Sequence, residues 1–275
     1  MTGRPATGGT SSWPVLPLPR DAPADAVHDA FLRKLSAGLA STVEVDGETT
    51  DRLSQLLGRS TGAPGAMPWA VLVFPTLAAP DLEPPRNVWE VYRRLEWDGP
   101  LSRGPLQVEV VPRYASVAGG STEISAETRV VAASGATARS VTVLRVAGST
   151  GAFGARDLPE CAAVGPTERG SSLVFDEVSL DGFIALARLH HPAVDSETTA
   201  HGYGLQNRLV PSPLLMCAVL RRDSAPSGRI DMWFRRPVPV GALVNIGELT
   251  VGDRVEGVIT LPSKRRVAVF RHTCV

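Results

Sequence analysis

One order of predicted elements occurs twice along this chain. Each half contains a short helical segment, a loop, an apolar run and then about four strand-like segments. Local sequence similarity supports the repetition, because YRRLEWDGPLSRGPLQVEV at residues 92–110 aligns with MWFRRPVPVGALVNIGEL at residues 232–249. Internal repetition on this scale indicates an architecture built from two similar units. The alternative is two unrelated α+β domains, but the helix precedes the strands in both halves.

The strand-like segments are bounded by Gly and Pro turn signals. In the first half the predicted strands cover residues 42–45, 87–97, 106–113, 121–132 and 138–146, and in the second half 173–178, 229–234, 243–251, 254–261 and 265–273. Short helices are predicted at residues 25–35, 50–57 and 180–189, and the apolar runs 70–74 and 214–221 fit either a buried helix or a strand. A helix followed by antiparallel strands suggests a curved sheet that wraps around the helix.

Changes in composition divide the chain into four parts. Residues 1–24 are rich in Gly, Pro, Ser and Thr, which predicts a flexible N-terminal tail. The N-terminal repeat is expected at residues 25–149. Residues 150–172 have no sustained periodicity and are predicted to be a linker. The C-terminal repeat, at residues 173–275, carries the expected site.

The composition favours a soluble cytoplasmic protein that binds neither nucleic acid nor membrane. Formal net charge is zero and basic residues are spread along the chain, so no nucleic-acid surface is indicated. No apolar run approaches the roughly 20 residues that span a bilayer, and the N-terminus has no secretory signal. The odd number of widely spaced cysteines indicates a reducing compartment. Nucleotide-loop and metal-spacing motifs are absent, so neither a cofactor nor a metal is expected.

The stretch from residue 179 to residue 216 is where a functional site is expected. Ser179 is a good helix N-cap, the following residues form one apolar helical face, and Pro192 ends the helix. The segment from His190 to Asn207 is polar, carries titratable groups and lies between two apolar elements. A polar segment held between buried elements is typical of a site.

Short motifs in this order resemble the MaoC-like and (R)-specific enoyl-thioester hydratase family. They are HHPAVDSETTA, the pair Gly202-Tyr203, LVPSPLLM and FRRPVPVGALV, and the resemblance covers roughly residues 43–275. It implies an α+β double hotdog fold, in which two antiparallel curved sheets each wrap around a central helix. It also implies a substrate that is an acyl thioester of CoA or of acyl-carrier protein. A homodimer is left open.

The catalytic motif of that family is Asp, one residue, Asn-Pro, one residue, then His. With Pro192 as the fixed point, His191 falls on the Asn, Leu189 on the catalytic Asp and Val194 on the catalytic His, and Ala200 falls on an Ala of the following helix. General acid–base groups typically contribute about 10²–10⁴-fold each. Since Leu and Val carry no proton, the family's own residues cannot perform its hydration chemistry here.

Three interpretations follow, and the first is preferred. In the first, the site has been rebuilt, with His191, His190 and Asp195 as the catalytic groups. The expected substrate-binding residues are Tyr203, Gly202, Asn207 and Ser212. The reaction would move protons beside a thioester carbonyl, as a dehydratase-like lyase or an isomerase or cyclase of polyketide or lipid-type biosynthesis.

The second interpretation is a noncatalytic hotdog that binds acyl chains or pairs with an active subunit. The third is a thioesterase or decarboxylase on the same fold. Purely structural roles also compete for individual residues. Histidines 190 and 191 suit a helix C-terminus, where an imidazolium interacts well with the helix dipole. Asp195 suits the N-cap of the next helix, and Cys217 suits a buried core position.

Overall fold

The described residues form ten strands and three helices. The structure, a computed structural model, describes residues 38–45, 88–99, 104–118, 121–147, 152–161, 164–165, 167–187, 194, 196–202, 206–220 and 227–274. The strands are β1 Leu39–Val45, β2 Val88–Asp98, β3 Gly104–Ala118, β4 Ser121–Ala132, β5 Thr137–Ala147, β6 Arg169–Val174, β7 Ser227–Phe234, β8 Leu243–Val251, β9 Arg254–Thr260 and β10 Arg266–Cys274. The helices are α1 Glu177–Ala187, α2 Glu197–Gly202 and α3 Ser212–Leu220.

All ten strands join one antiparallel sheet, and its order is the same in both halves. The order is β1-β3-β4-β5-β2-β7-β10-β9-β8-β6. In each half the first strand lies at the outer edge, the second lies at the centre, and the next three fill the space between. The halves meet where β2 pairs with β7, with Tyr92 opposite Trp233 and Asp98 opposite Ser227. The repeated element order therefore corresponds to one continuous sheet, where the sequence suggested two.

Side chains alternate between two faces of the sheet, as strand geometry requires. The inner face is mainly apolar and packs with α3 into one core, to which Leu95, Ile124, Leu144 and Ile230 contribute. In α3 every residue after Ser212 is buried, from Pro213 to Leu220. Burial on all sides identifies α3 as a core helix and decides the open assignment of residues 214–221.

The outer face is crossed by residues 152–161 and 164–165, which we call the strap. The strap bonds to β3 at one end, where the amide and carbonyl groups of Phe153 and Ala115 pair at 2.9 and 3.0 Å. Near the centre, Trp233 Nε1 donates to the carbonyl of Pro159 at 3.1 Å. The chain then enters β6, and Glu168 N donates to Glu248 O on β8 at 2.9 Å. The strap, which lies within the segment predicted as a linker, thus crosses the outer face, whereas the last residues of that segment, 169–172, belong to β6.

Apolar strap residues pack on a second, smaller cluster beneath them. Leu158, Cys161 and Val164 contact the cluster. Its members are Val91, Tyr92, Val143, Trp233 and Val269. They come from β2, β5, β7 and β10, so the strap holds the two halves together at their junction.

Two local predictions were wrong and several lie outside the described residues. Glu177 and Val178 belong to α1, where the sequence had suggested a strand. Asp176 caps this helix instead of Ser179, since its Oδ1 accepts the amide of Ser179 at 2.7 Å. The tail, the helices predicted at 25–35 and 50–57, and the apolar run 70–74 lie outside the described residues.

Candidate functional site

The segment before α3 is fixed by a short backbone ladder. Val210 N donates to Val238 O at 2.8 Å, and Val240 N donates to Arg208 O at 2.9 Å. The Asn207 side-chain nitrogen donates to Val240 O at 3.2 Å. This bond ties the Asn207 side chain to the ladder.

Arg208 ties Val194 and α1 to the segment before α3. Its Nε donates to the carbonyl of Val194 at 2.7 Å. Its two terminal nitrogens bond to Glu177 and Asp181 on α1, each at 2.7 Å. Because both carboxylates are largely exposed, these two ion pairs contribute little stability. The main effect of Arg208 is therefore to hold Val194 through its carbonyl.

Helix α3 begins beside a polar side chain at the boundary of the core. The carbonyl of Pro211 accepts the amides of Leu214 and Leu215 at 3.0 and 3.2 Å, which starts the helix. Ser212 is its first residue and is half-buried, whereas the rest of the helix is buried. Ser212 therefore lies where the core meets solvent.

A buried ion pair from the first half of the chain contacts Ser212. Arg93 bonds to Glu90 through two nitrogens, Nε to Oε1 at 2.6 Å and Nη2 to Oε2 at 2.9 Å. Their side chains are 0% and 4% exposed. The Ser212 hydroxyl lies within hydrogen-bonding reach of Glu90. Burial raises the pKa of the Glu90 carboxyl, while Arg93 and Ser212 oppose that rise.

A bulge in β2 places this pair on one face. Residues three apart in a regular strand point to opposite faces. Against β5, Glu90 lies opposite Leu144 and Tyr92 lies opposite Val143, so Val91 is an extra residue. The bulge turns Glu90 onto the same inner face as Arg93. A sequence pattern cannot reveal such a bulge, which is why the pair was not predicted.

The structure describes only part of the predicted site. His190, His191, Asp195 and Tyr203 lie outside the described residues, so their predicted roles are untested. Gly202 is the last residue of α2, and Asn207 and Ser212 flank the segment that leads into α3.

Two residues aligned with the family's motif, Val194 and Ala200, are buried. His201 is exposed, and its Nε2 lies 3.1 Å from the carbonyl of Gln206. Val194, which the motif alignment sets against the family's catalytic His, is thus a core residue. Cys217 is buried in α3.

Two further features bear on cofactors and membranes. Within the described ranges, no group of three or more His, Cys, Asp or Glu side chains has an arrangement that could hold a metal ion. None of the helices that the structure describes is both long and apolar enough to cross a membrane.

The sheet resembles those of several solved structures. The peroxisomal multifunctional enzyme type 2 from Drosophila melanogaster superposes with a TM-score of 0.71 and 13% identity, over 86% of this chain and 48% of that one. This chain thus spans about half the length of the Drosophila enzyme. A MaoC-like dehydratase from Phytophthora capsici gives a TM-score of 0.68 and 12% identity, over 86% and 94% of the two chains.

A conserved hypothetical protein from Mycobacterium tuberculosis that has a double hotdog fold gives a TM-score of 0.62 and 11% identity, over 86% and 96%. By sequence alone, no family model and no curated protein matches. At such low identity the superpositions establish the fold and leave the activity open. They agree with the large antiparallel sheet, and the chain has a hotdog-type fold.

Proposed function

We propose that this hotdog chain is an enzyme that processes acyl thioesters of CoA or of a carrier protein, with dehydratase-like ancestry and a rebuilt active site. In the proposal, α3 is the central helix of the second half. The observation that carries it is the contact between Glu90 and Ser212. A buried acid from one half reaches the solvent-facing start of the core helix of the other, and Arg208, four residues before that helix, bonds to Val194.

The proposed reaction moves a proton beside the thioester carbonyl. His191 removes the proton from the α-carbon, with Asp195 orienting the imidazole and His190 beside it. In a dehydration, the 3-hydroxyl then leaves as water with the proton that the imidazolium returns. Tyr203, Gly202, Asn207 and Ser212 hold the thioester carbonyl, where negative charge develops. Isomerisation or cyclisation by conjugate addition requires the same proton transfers.

A noncatalytic acyl-binding role is the second candidate, and one observation favours it. Val194, which the sequence alignment sets against the family's catalytic His, is buried and has its carbonyl held by Arg208. An apolar residue packed in this way carries no proton, so a chain without a replacement base would bind acyl groups without converting them.

Mass spectrometry of the whole chain with a thioester panel tests the proposal. The panel contains 3-hydroxyacyl and 2-enoyl chains, each on CoA and on a carrier protein. A mass change of one water supports dehydratase or hydratase chemistry, and an unchanged mass with a shifted double bond or a new ring supports isomerase or cyclase chemistry. Binding without any conversion favours the noncatalytic role, whereas release of the free acid favours a thioesterase. A chain that neither binds nor converts any member overturns the proposal.

A further inference from the structure

The inner face of the first half carries one polar patch within an apolar surface. Thr128 on β4 lies directly opposite Ser140 on β5. Thr142 lies two residues further along β5 and directly opposite Arg93 on β2. All three hydroxyl-bearing residues share the face of Leu95 and Leu144, which belong to the core. Alternation along each strand therefore aims these hydroxyls into the interior.

These hydroxyls are buried and need hydrogen-bond partners. Thr128, Ser140 and Thr142 are 0%, 1% and 1% exposed. Among the residues that the structure describes, none makes a hydrogen bond with any of the three hydroxyls. Most buried polar side-chain atoms in native proteins have a partner, because an unpaired one costs free energy. Three neighbouring hydroxyls without such a partner on one face indicate that this face binds an oxygen-bearing group.

The patch continues to the surface through the buried ion pair. Thr142 lies opposite Arg93, Arg93 bonds to Glu90, and Glu90 lies within reach of the half-buried Ser212. We call this row, from Ser212 to Thr128, the polar track. Cross-strand neighbours are about 5 Å apart and alternate residues of a strand about 7 Å apart. Thr128 and Glu90 are two strand spacings and two such steps apart, so the track spans roughly 17 Å.

We infer that the acyl chain of the substrate carries hydroxyl or keto oxygens and lies along the polar track. This inference rests on the proposed function, since it names the substrate class of the same site. A Ser or Thr hydroxyl donates a hydrogen bond to a keto oxygen and accepts one from a hydroxyl group. A plain hydrocarbon chain would leave all three hydroxyls unpaired. Sites with buried hydrogen-bonding groups reject analogues that lack the matching oxygen.

Direct binding measurements test the inference without depending on turnover. The probes are two pantetheine thioethers, which resist hydrolysis. One carries a tetradecanoyl-length hydrocarbon chain, and the other has the same length with a hydroxyl and a keto group along it. Isothermal calorimetry with the full chain compares the two. We expect the oxygenated probe to bind at least about tenfold more tightly, which corresponds to one or two net hydrogen bonds.

Three substitutions locate the effect. Thr128→Val and Thr142→Val replace a hydroxyl by a methyl group of the same shape, and Ser140→Ala removes the third hydroxyl. Each substitution should lower the affinity for the oxygenated probe by about tenfold and leave the affinity for the hydrocarbon probe unchanged. Ser125→Ala is the matched control, because Ser125 has an equally buried hydroxyl but lies on the outer face of β4. It should change neither affinity.

Different binding results would overturn the inference and the proposed function. Equal affinity of the wild-type chain for the two probes overturns the inference and leaves the proposed function standing. The inference is also overturned if all three variants lose affinity equally for both probes. Failure of the wild-type chain to bind either probe overturns the proposed function itself. The comparison of the two probes on the wild-type chain requires no variant to fold.

Discussion

Glu90 and Arg93 form a bidentate ion pair on the inner face of β2, with distances of 2.6 and 2.9 Å. The pair exists because the extra residue Val91 brings both side chains to one face. Taking two charges out of water is costly, and their attraction repays that cost only with good geometry. A pair kept in the core beside the start of α3 is therefore expected to be needed for the site.

Removal of one member of the Glu90–Arg93 ion pair should lower the free energy of unfolding more than removal of both. In Arg93→Met, the Glu90 carboxylate stays buried without its cation, and the free energy of unfolding should fall by about 3–5 kcal/mol. The double variant Glu90→Leu with Arg93→Met buries no charge and should regain most of that loss. Urea denaturation of the four chains gives the coupling between the residues. Additive losses would contradict a mutually compensating pair.

Acid should destabilise the fold through Asp231, on the outer face of β7. Burial acts to raise the pKa of this carboxyl, but hydrogen bonds from three side chains outweigh burial, and its pKa lies below the ordinary value. These donors are Arg229, Tyr92 and Arg94. Because the pKa is lower in the folded chain, the stabilisation is present above the unfolded pKa of about 4 and is lost as pH falls through the folded pKa.

Unfolding free energies measured from neutral pH to about pH 2 check this expectation, since that range spans the ordinary carboxyl pKa. Asp231→Asn should make the decline below about pH 4 shallower than in the wild-type chain. Glu90 should have the opposite effect on how the unfolding free energy depends on pH. Its pKa is raised by burial, so its contribution is present below the unfolded pKa and is lost as pH rises through the folded pKa. An unchanged slope in Asp231→Asn would show that other acids dominate.

The strap should be sensitive to a single methyl group at Gly154. A Cβ there would lie 2.5 Å from the carbonyl oxygen of Arg113, so the strap or β3 must move. Gly252 is the matched control, because its φ of +63° is close to the +67° of Gly154 but a Cβ there meets nothing within 4 Å. Gly154→Ala should cost about 1–3 kcal/mol more than Gly252→Ala. Thermal or urea unfolding measures both, and equal costs would mean that only backbone strain matters.

Replacement of His191 tests the rebuilt site. If His191 is the base, His191→Ala should lower turnover of the true substrate by about 10²–10⁴-fold and leave the unfolding free energy unchanged. His201→Ala is the control, because His201 is an exposed histidine on α2. It should retain normal turnover. Wild-type rates in His191→Ala would remove this assignment.

Arg208 should act as a positioning residue. Arg208→Met removes the bond to Val194 O as well as two surface ion pairs, so the unfolding free energy should fall by about 1–3 kcal/mol and turnover should fall with it. Glu177→Gln removes only one exposed pair and should cost under about 1 kcal/mol. Steady-state kinetics should show a larger change in kcat than in KM. A loss confined to stability would leave Arg208 with a structural role alone.

Much of the fold could be predicted because strand signals are local. The alternation of side chains and the Gly or Pro turn signals predicted the observed bounds of β4 and β8, and those of the other long strands to within a few residues. Errors occurred where neighbouring elements compete. Residues 177–178 continue a strand-like pattern but are helical, because Asp176 supplies the cap that starts α1. The apolar run at 214–221 was ambiguous, since a short buried segment shows no periodicity.

The candidate site was less accessible from sequence. The order of motifs led to Ser212 and Asn207 as candidate site residues, because motifs depend on residue identity. Glu90 was missed, since it lies 122 residues before Ser212 in the numbering and reaches it only through the bulge in β2. The polar track was missed for the same reason, as Thr128, Ser140 and Thr142 become neighbours only in the paired sheet.

The amino-acid sequence by itself determined the repeated order of elements and the alternation of apolar and polar side chains, because each depends on residues close together in the chain. Only the tertiary structure decided that β2 and β7 join the halves into one sheet, that the strap covers its outer face, and that an ion pair lies beside α3. These features depend on contacts between distant segments. Their geometry is set by strand register and by one extra residue, which no local pattern encodes.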